Sequence, residues 1–437
     1  MPRKPNMRLR LLLEEADWGP VQCARAIQAL ATEYGLRMTC THTAVRGWLD
    51  GAQPRPPAPG LLLECLSRRL SRPVEGREAG LTRAPSAVVS SSWDTDPLHK
   101  LRQLVRSELD FPHGALLGAG VVPATAFTLP QVFLPAVSPL PEADPPEAKE
   151  MQAMAVLFAR ATEQFGGTGI RTSLAVYLAH SVVPKLHTGR SRQGSRQLVS
   201  AAAQLTVLLG GMCADSARSN AAQHCYQIAA SLAADAGDHA TFAIALRAMA
   251  TQAHHQGRHG LAVRLLAERA VRSAHHTSPT VQAYAHAQLA VTLAPDDRSS
   301  ALAEMTRAEE LHSKAPAVPG PFTSYSAGAL HFQRAQTYNA LGDHASAAMA
   351  LETSLRLRAA NEERATTLTR ARLAEAYLRL GRLDEALHCW QAFLIASRSL
   401  HSAQADARLS AMHQLLRPYA RNPQAAALIE RARSNAR

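Results

Sequence analysis

Aromatic residues make up only 5% of this 437-residue chain. Runs of β-branched residues are few, while alanine and leucine abound, so helices should dominate and sheet should be nearly absent. Cysteines number six (Cys23, Cys40, Cys65, Cys213, Cys225 and Cys389), scattered without a CxxC pair. That pattern excludes a disulfide framework and a zinc ribbon, and it fits a reducing cytoplasm. The N-terminal "MPRKPNMRLRLLLEEADWG" is broken at once by Glu14, Glu15 and Asp17, which argues against a signal sequence. No stretch elsewhere reads as long and apolar enough to span a bilayer, so a cytoplasmic protein with no membrane partner is expected. No GxSxG, no HExxH and no paired acidic motif in a plausible pocket is seen, and an enzyme is not expected.

What is present is basic and helical. The formal net charge is +12, which favours a polyanionic partner, because lysine and arginine beside phosphates release counterions. The excess is mostly arginine, and alanine-arginine-rich coding produces the same bias without any such partner.

Three regions follow from composition. Residues 1–80 hold four short helices. Met7, Leu11 and Leu12 share one face; "PVQCARAIQALATEYG" opens on Pro20 and stops at Gly35; Thr41 or Thr43 caps a third helix ended by Gly51; Leu62, Leu66 and Leu70 line a fourth. Residues 81–145 read as a proline-rich linker with one helix, "PLHKLRQLVRSELD", and with Trp93, Phe127 and Phe133 as its packing residues. Residues 146–437 read as helix after helix.

That last region repeats. "RAQTYNALGDHASAAMALETSL" and "LAEAYLRLGRLDEALHCWQAFL" superpose without gaps. Tyr338 falls on Tyr377, Gly342 on Gly381, Ala347 on Ala386 and Leu351 on Trp390. Gly257, Ala262 and Leu266 supply a third copy. Gly342 and Gly381 lie 39 residues apart, a little above the ~34 of a tetratricopeptide repeat. Small residues let antiparallel helices approach, glycine turns the chain, and the large residue fills the groove. Ala374, Tyr377, Gly381, Ala386 and Trp390 thus resemble the tetratricopeptide pattern. The resemblance implies a helical solenoid with a concave face for a peptide or protein.

In "THTAVRGWLDG", Val45, Trp48 and Leu49 form an apolar side, and Thr41, His42, Thr43 and Arg46 can face out. The segment resembles the reading helix of a Cro or phage-repressor helix-turn-helix, with "QCARAIQAL" as the supporting helix and Ala24 at the crossing. Two departures stand out: "ATEYGLRMTC" is longer than the ~3–4-residue turn of that motif, and Gly47 weakens the helix. The resemblance implies base contacts from Thr41, His42, Thr43 and Arg46, and phosphate contacts from Gln22, Arg25, Arg55, Arg68 and Arg69. A solvated helix start and a solvated charged face would use the same residue types.

The arrangement as a whole carries more. The tryptophan helix, "QPRPP", "LSRRLSRPV" and the repeats beyond a linker are similar to streptomycete regulators that include negative regulators of differentiation and antibiotic production. What this implies is an all-α transcriptional regulator that binds double-stranded DNA, as a homodimer if its operator is two-fold. Its repeat domain would take a peptide or protein ligand. The competing reading is a signalling adaptor that assembles partners through the repeats.

No cofactor is expected. His254, His255 and His259, and the pair His275–His276, do not converge as metal ligands would, because adjacent helical residues diverge by about 100°. "GGTG" at 166–169 follows a helix, lacks the lysine-hydroxyl pair of a phosphate loop, and reads as a turn.

Overall fold

A computed structural model describes residues 5–33, 38–55, 58–70, 74, 76, 78–81, 96–109, 145–189, 195–256, 260–315, 322 and 324–435. Among these residues the regular elements are helices, with no strand. Gly35, Gly257, His259, Trp93, Phe127 and Phe133 fall outside the described residues, as does the side chain of Arg68.

The N-terminal unit consists of α1 (Met7–Glu15), α2 (Pro20–Glu33), α3 (His42–Leu49) and α4 (Ala58–Leu70). Leu9, Leu12 and Leu13 of α1 meet Cys23, Ala24 and Ile27 of α2, Val45 and Trp48 of α3, and Leu61, Leu62 and Leu66 of α4 in one core. Asn6 closes the unit. Its side chain caps α1 by accepting from Leu9 N at 3.1 Å, and its Nδ2 donates to the Ala79 carbonyl at 2.9 Å. Its backbone N–H reaches the Leu49 carbonyl at 2.8 Å. Gly80 sits against this hub with φ +66, where a Cβ would stand 2.3 Å from Asn6 Oδ1. One residue thus ties the start of α1, the end of α3 and the closing loop, and the core ends at Leu81.

The helix expected inside the linker belongs to the second unit. α5 (Pro97–Leu109) puts Leu98, Leu101, Leu104 and Val105 into the same core as α6 (Pro146–Phe165), α7 (Gly167–Tyr177), α9 (Ser195–Asp215) and α10 (Ser219–Ala236). Glu108 fixes it there: its buried carboxylate receives Arg171 of α7 and, at 3.1 Å, Arg218 at the start of α10. Between α7 and α8 (Val183–Gly189) the helix widens by one π turn, Leu178–Val182. Pro184 has no N–H for the His180 carbonyl, a recognised cause of such a bulge.

Helix pairs then stack in order: α9 on α10, α11 (His239–His255) on α12 (Leu261–Ala274), α13 (Pro279–Leu293) on α14 (Arg298–Ser313), α15 (Ala327–Ala340) on α16 (His344–Leu357), and α17 (Glu363–Arg379) on α18 (Leu383–Ala396). α19 (Ala403–Leu416) and α20 (Pro423–Asn435) end the stack. Side-chain caps mark the turns: Asp238, Asp297 and Asp343 accept from Thr241, Ser300 and Ser346 backbone N–H groups, and Ser278, Ser326 and Ser402 do the same for α13, α15 and α19. Such caps satisfy donors that a helix start leaves open.

The two close repeats have the expected joints. Gly342 and Gly381 take φ +76 and +74, Ala347 and Ala386 are buried between helices, and Trp390 is fully enclosed. Tyr377 is buried, with its hydroxyl donating to Glu352 Oε1 at 2.6 Å, and Tyr338 is half-buried. The third copy departs from register: Leu266 is buried as aligned, but Ala262 is exposed. Gly260 caps α12 at φ +138, so that helix starts later and Val263 turns inward instead.

One sequence expectation is corrected here. Arg196–Asp215, 20 residues with mean hydropathy 1.4, is long and apolar enough to cross a membrane by length and composition. It packs in the core of the second unit, with 72% of its apolar window buried.

Candidate nucleic-acid interface and ligand cavity

Thr41 caps α3, its hydroxyl accepting from Ala44 N at 3.3 Å. Thr41, His42, Thr43 and Arg46 are all exposed, while Val45 and Trp48 are buried on the opposite side. Gly47 is half-buried, and a Cβ there would meet nothing within 4 Å. The helix therefore tolerates glycine without needing it for a close approach. Gly51 follows at φ +95 and ends the helix.

The long connection ahead of α3 is anchored rather than loose at its end, because Cys40 is buried in the core with Cys23. Burial, with Cys40 alongside, pushes the Cys23 thiol up to about 12, and burial raises that of Cys40 as well. Both stay protonated at neutral pH, which suits packing and not metal ligation. Among the described residues no cluster of three or more histidine, cysteine or acidic side chains could hold a metal.

The residues assigned to phosphate differ in availability. Gln22 and Arg25 are exposed on α2, and Arg55 is exposed beyond α3. Ala24 is buried in the α1–α4 core. Arg69 is engaged within the fold, where its Nε donates to the Ala16 carbonyl at 2.8 Å and ties α4 to the end of α1. Sequence spacing gave no sign of this, because the partner lies 53 residues away.

The second feature was not visible in the sequence. The helix stack curves until its ends meet. His401 N donates to the Phe165 carbonyl at 2.7 Å and Thr168 N to the His401 carbonyl at 3.0 Å. Gly166, at φ +85, lets the chain pass; a Cβ there would lie 2.5 Å from the His401 carbonyl oxygen. The 166–169 segment is thus a break between two helices, with the second restarting at Gly167.

Asp215 clasps this seam. It is wholly buried and accepts from Gly167 N at 2.7 Å, Ser402 Oγ at 2.7 Å, and Arg364 Nε and Nη2 at 2.9 and 2.8 Å. Burial opposes the Arg364 charge, but Asp215 and Glu163 outweigh it and hold the guanidinium above its ordinary value.

Inside the closed stack lies a cavity of about 990 Å³, walled by α6, α9, α10, α11, α13, α15, α17 and α19. Both α9 and α10 line it, and each later pair contributes its first helix, with α12, α14, α16 and α18 outside. Arg247 Nη1 donates to the Tyr284 hydroxyl at 2.7 Å, and its guanidinium lies 3.6 Å from the centre of that ring. Tyr284 meets Tyr325 edge-on at 5.1 Å. Gln288 Oε1 accepts from Thr251 Oγ1 and Gln333 Nε2, each at 2.8 Å. On the α17–α19 side, Arg372 and Arg408 share the buried carboxylate of Glu375 at 3.3 and 2.8 Å. His255 lies on this wall but is exposed; partial desolvation, then the cations of Arg372, His254, Arg247 and Arg408, push its imidazole below the usual histidine range, and water at the exposed ring screens much of that effect. His275 and His276 are exposed and pack edge-on against each other, away from the cavity lining.

Comparison with known proteins marks the first unit. Residues 9–82 match the family model of the SP15 N-terminal domain, so the match ends one residue beyond Leu81, the last residue of the α1–α4 core. No curated protein matches the chain.

Proposed function

We propose that the protein is a cytoplasmic transcriptional regulator, with no catalytic activity of its own. Its α1–α4 unit binds double-stranded DNA, and its tetratricopeptide-like body holds the effector, for which the repeat pattern implies a peptide or protein. The observation that carries this reading is the division of α3. Thr41, His42, Thr43 and Arg46 share an exposed, capped face whose back is bolted to the core by Val45 and Trp48. A groove-reading helix needs that division, with short polar and arginine side chains at its start. Arg25 and Arg55, both exposed, supply phosphate contacts, and the +12 net charge favours association. The likeness of "THTAVRGWLDG" and "LSRRLSRPV" to streptomycete regulators supports a place in differentiation or secondary metabolism. Effector binding would alter DNA affinity through the 81–145 segment or through dimer formation, with one binding site biasing the other.

The test is selection of bound sequences from a genomic duplex pool by the full chain and by its His42→Ala/Arg46→Ala variant. A few sequences enriched by the parent and weakened about tenfold or more in the variant are expected, since one good base contact is worth about 1–3 kcal/mol. Enrichment indifferent to the substitutions, or none, would overturn the assignment and favour the adaptor.

A further inference from the structure

The interior charges of the cavity do not balance evenly. Glu163 is taken by Arg364 and by Ala365 N, and Glu362 by Arg358, Ser326 and Ala359 N. Arg247, Arg372 and Arg408 line the same cavity, and the only carboxylate bound to any of them among the described residues is Glu375. Arg247 has none; its one hydrogen-bond acceptor from another helix is a phenol, and its Nε is buried without a partner. The Tyr325 hydroxyl on the same wall is likewise buried without a partner. Leaving cationic donors partly desolvated and unmatched is costly unless something completes them.

We propose that this cavity binds a small organic anion with an aromatic or apolar body, its phosphate or carboxylate head held by Arg247 and its body stacked along Tyr284, Tyr325 and Phe332. Guanidinium matches either head in a fork that lysine cannot supply. The volume of about 990 Å³ suits a drug-sized molecule or a short peptide's end, not a folded protein. This names the ligand class within the effector role proposed above, and it does not depend on DNA binding.

The experiment uses the full chain and two fluorescent probes of one shape, anionic anilinonaphthalene sulfonate and neutral N-phenylnaphthylamine. The parent should bind the anion at least about tenfold tighter, the size of one charge-assisted contact. Arg247→Gln should cut that preference to about threefold or less while leaving the neutral probe unchanged. Arg264→Gln, on outer helix α12 and paired with Glu268, should change neither. If Arg247→Gln does not fold, Arg247→Met, which keeps the apolar stem and loses the charge, replaces it with the same expected loss of preference.

Phenyl phosphate and phenylacetate, used as competitors, distinguish the two head groups by which one displaces the bound anion. Equal binding of both probes by the parent, a preference that survives Arg247→Gln, or displacement by neither acid would overturn the proposal. Anion preference in a chain that selects no DNA sequence would instead overturn the regulator reading alone.

Discussion

Replacing Asp215 by alanine tests the clasp on which ring closure rests. The side chain is fully buried and answers four donors from three distant segments: Gly167 N, Ser402 Oγ, and two nitrogens of Arg364. Removing one member of a buried ion pair costs about 3–5 kcal/mol, and each neutral donor left open adds about 1 kcal/mol. Glu163, 3.5 Å from Arg364, recovers part of the loss. The net expectation is about 4 kcal/mol, or roughly a 10 °C fall in the melting temperature of a body this size.

The assay is thermal unfolding of the full chain, completed as a cycle with Arg364→Ala and the double variant. Because Arg364 is the charge that Asp215 leaves behind, the double variant should be milder than the sum of the singles by about 1–3 kcal/mol. Amide exchange should speed up at Thr168 and His401, whose backbone bonds cross the seam, and not within α12–α14. A melting temperature within about 2 °C of the parent, or a cycle additive within about 0.5 kcal/mol, would refute the clasp.

Two further predictions concern glycine joints and the N-terminal hub. Gly381→Ala should cost about 1 kcal/mol, since φ +74 is disfavoured for alanine but a Cβ meets nothing nearby. Gly166→Ala should cost clearly more, because its Cβ would strike the His401 backbone; equal melting shifts for the two would contradict this ranking. Asn6→Ala removes the α1 cap and the tie to Ala79, for about 2 kcal/mol in total. Protease nicking of the first unit should rise with no change in the second, and unchanged resistance would remove Asn6 as a hub.

How far the fold could be read from sequence depended on the range of each contact. The Gly342 and Gly381 joints were legible because a repeat prints its turn, its small residue and its groove filler within some ten positions, and so was the cap and apolar back of α3. The third copy went out of register because Gly257 offered the aligned glycine, while Gly260 holds the left-handed cap. For α5, Leu98, Leu101 and Val105 already marked an apolar stripe, and such a stripe calls for a partner; the prolines beyond it hid the signal. Ring closure had no local signature. Asp215, Arg364 and Ser402 come together across 149 and 187 residues, and each alone resembles an ordinary cap or surface charge. The cavity follows from the closure, so nothing in the sequence singled out Arg247, Arg372 or Arg408, which line it.

The same contacts constrain how an occupied cavity could influence the first unit. α10 faces the cavity through Tyr226, whose hydroxyl burial raises further above its ordinary range. Gly210 of α9 presses on that ring so closely that a Cβ would lie 2.5 Å from it, so α9 and α10 cannot slide independently. The start of α10 also carries Arg218, which shares buried Glu108 of α5 with Arg171. Desolvation, then repulsion from Arg218, lowers Arg171 from its ordinary value. Glu108 is therefore needed by both cations, and α5 stays fixed to α10 as long as both remain charged. If a ligand shifts α10, α5 must follow or leave two buried arginines unmatched, a penalty of several kcal/mol. α5 is also the first element of the body in chain order, with residues 82–96 between it and the α1–α4 core. On the regulator reading proposed above, a signal passed along the chain from the cavity to α3 crosses this ion triad, so Glu108→Gln should uncouple ligand binding from DNA affinity while leaving each binding constant measured alone unchanged.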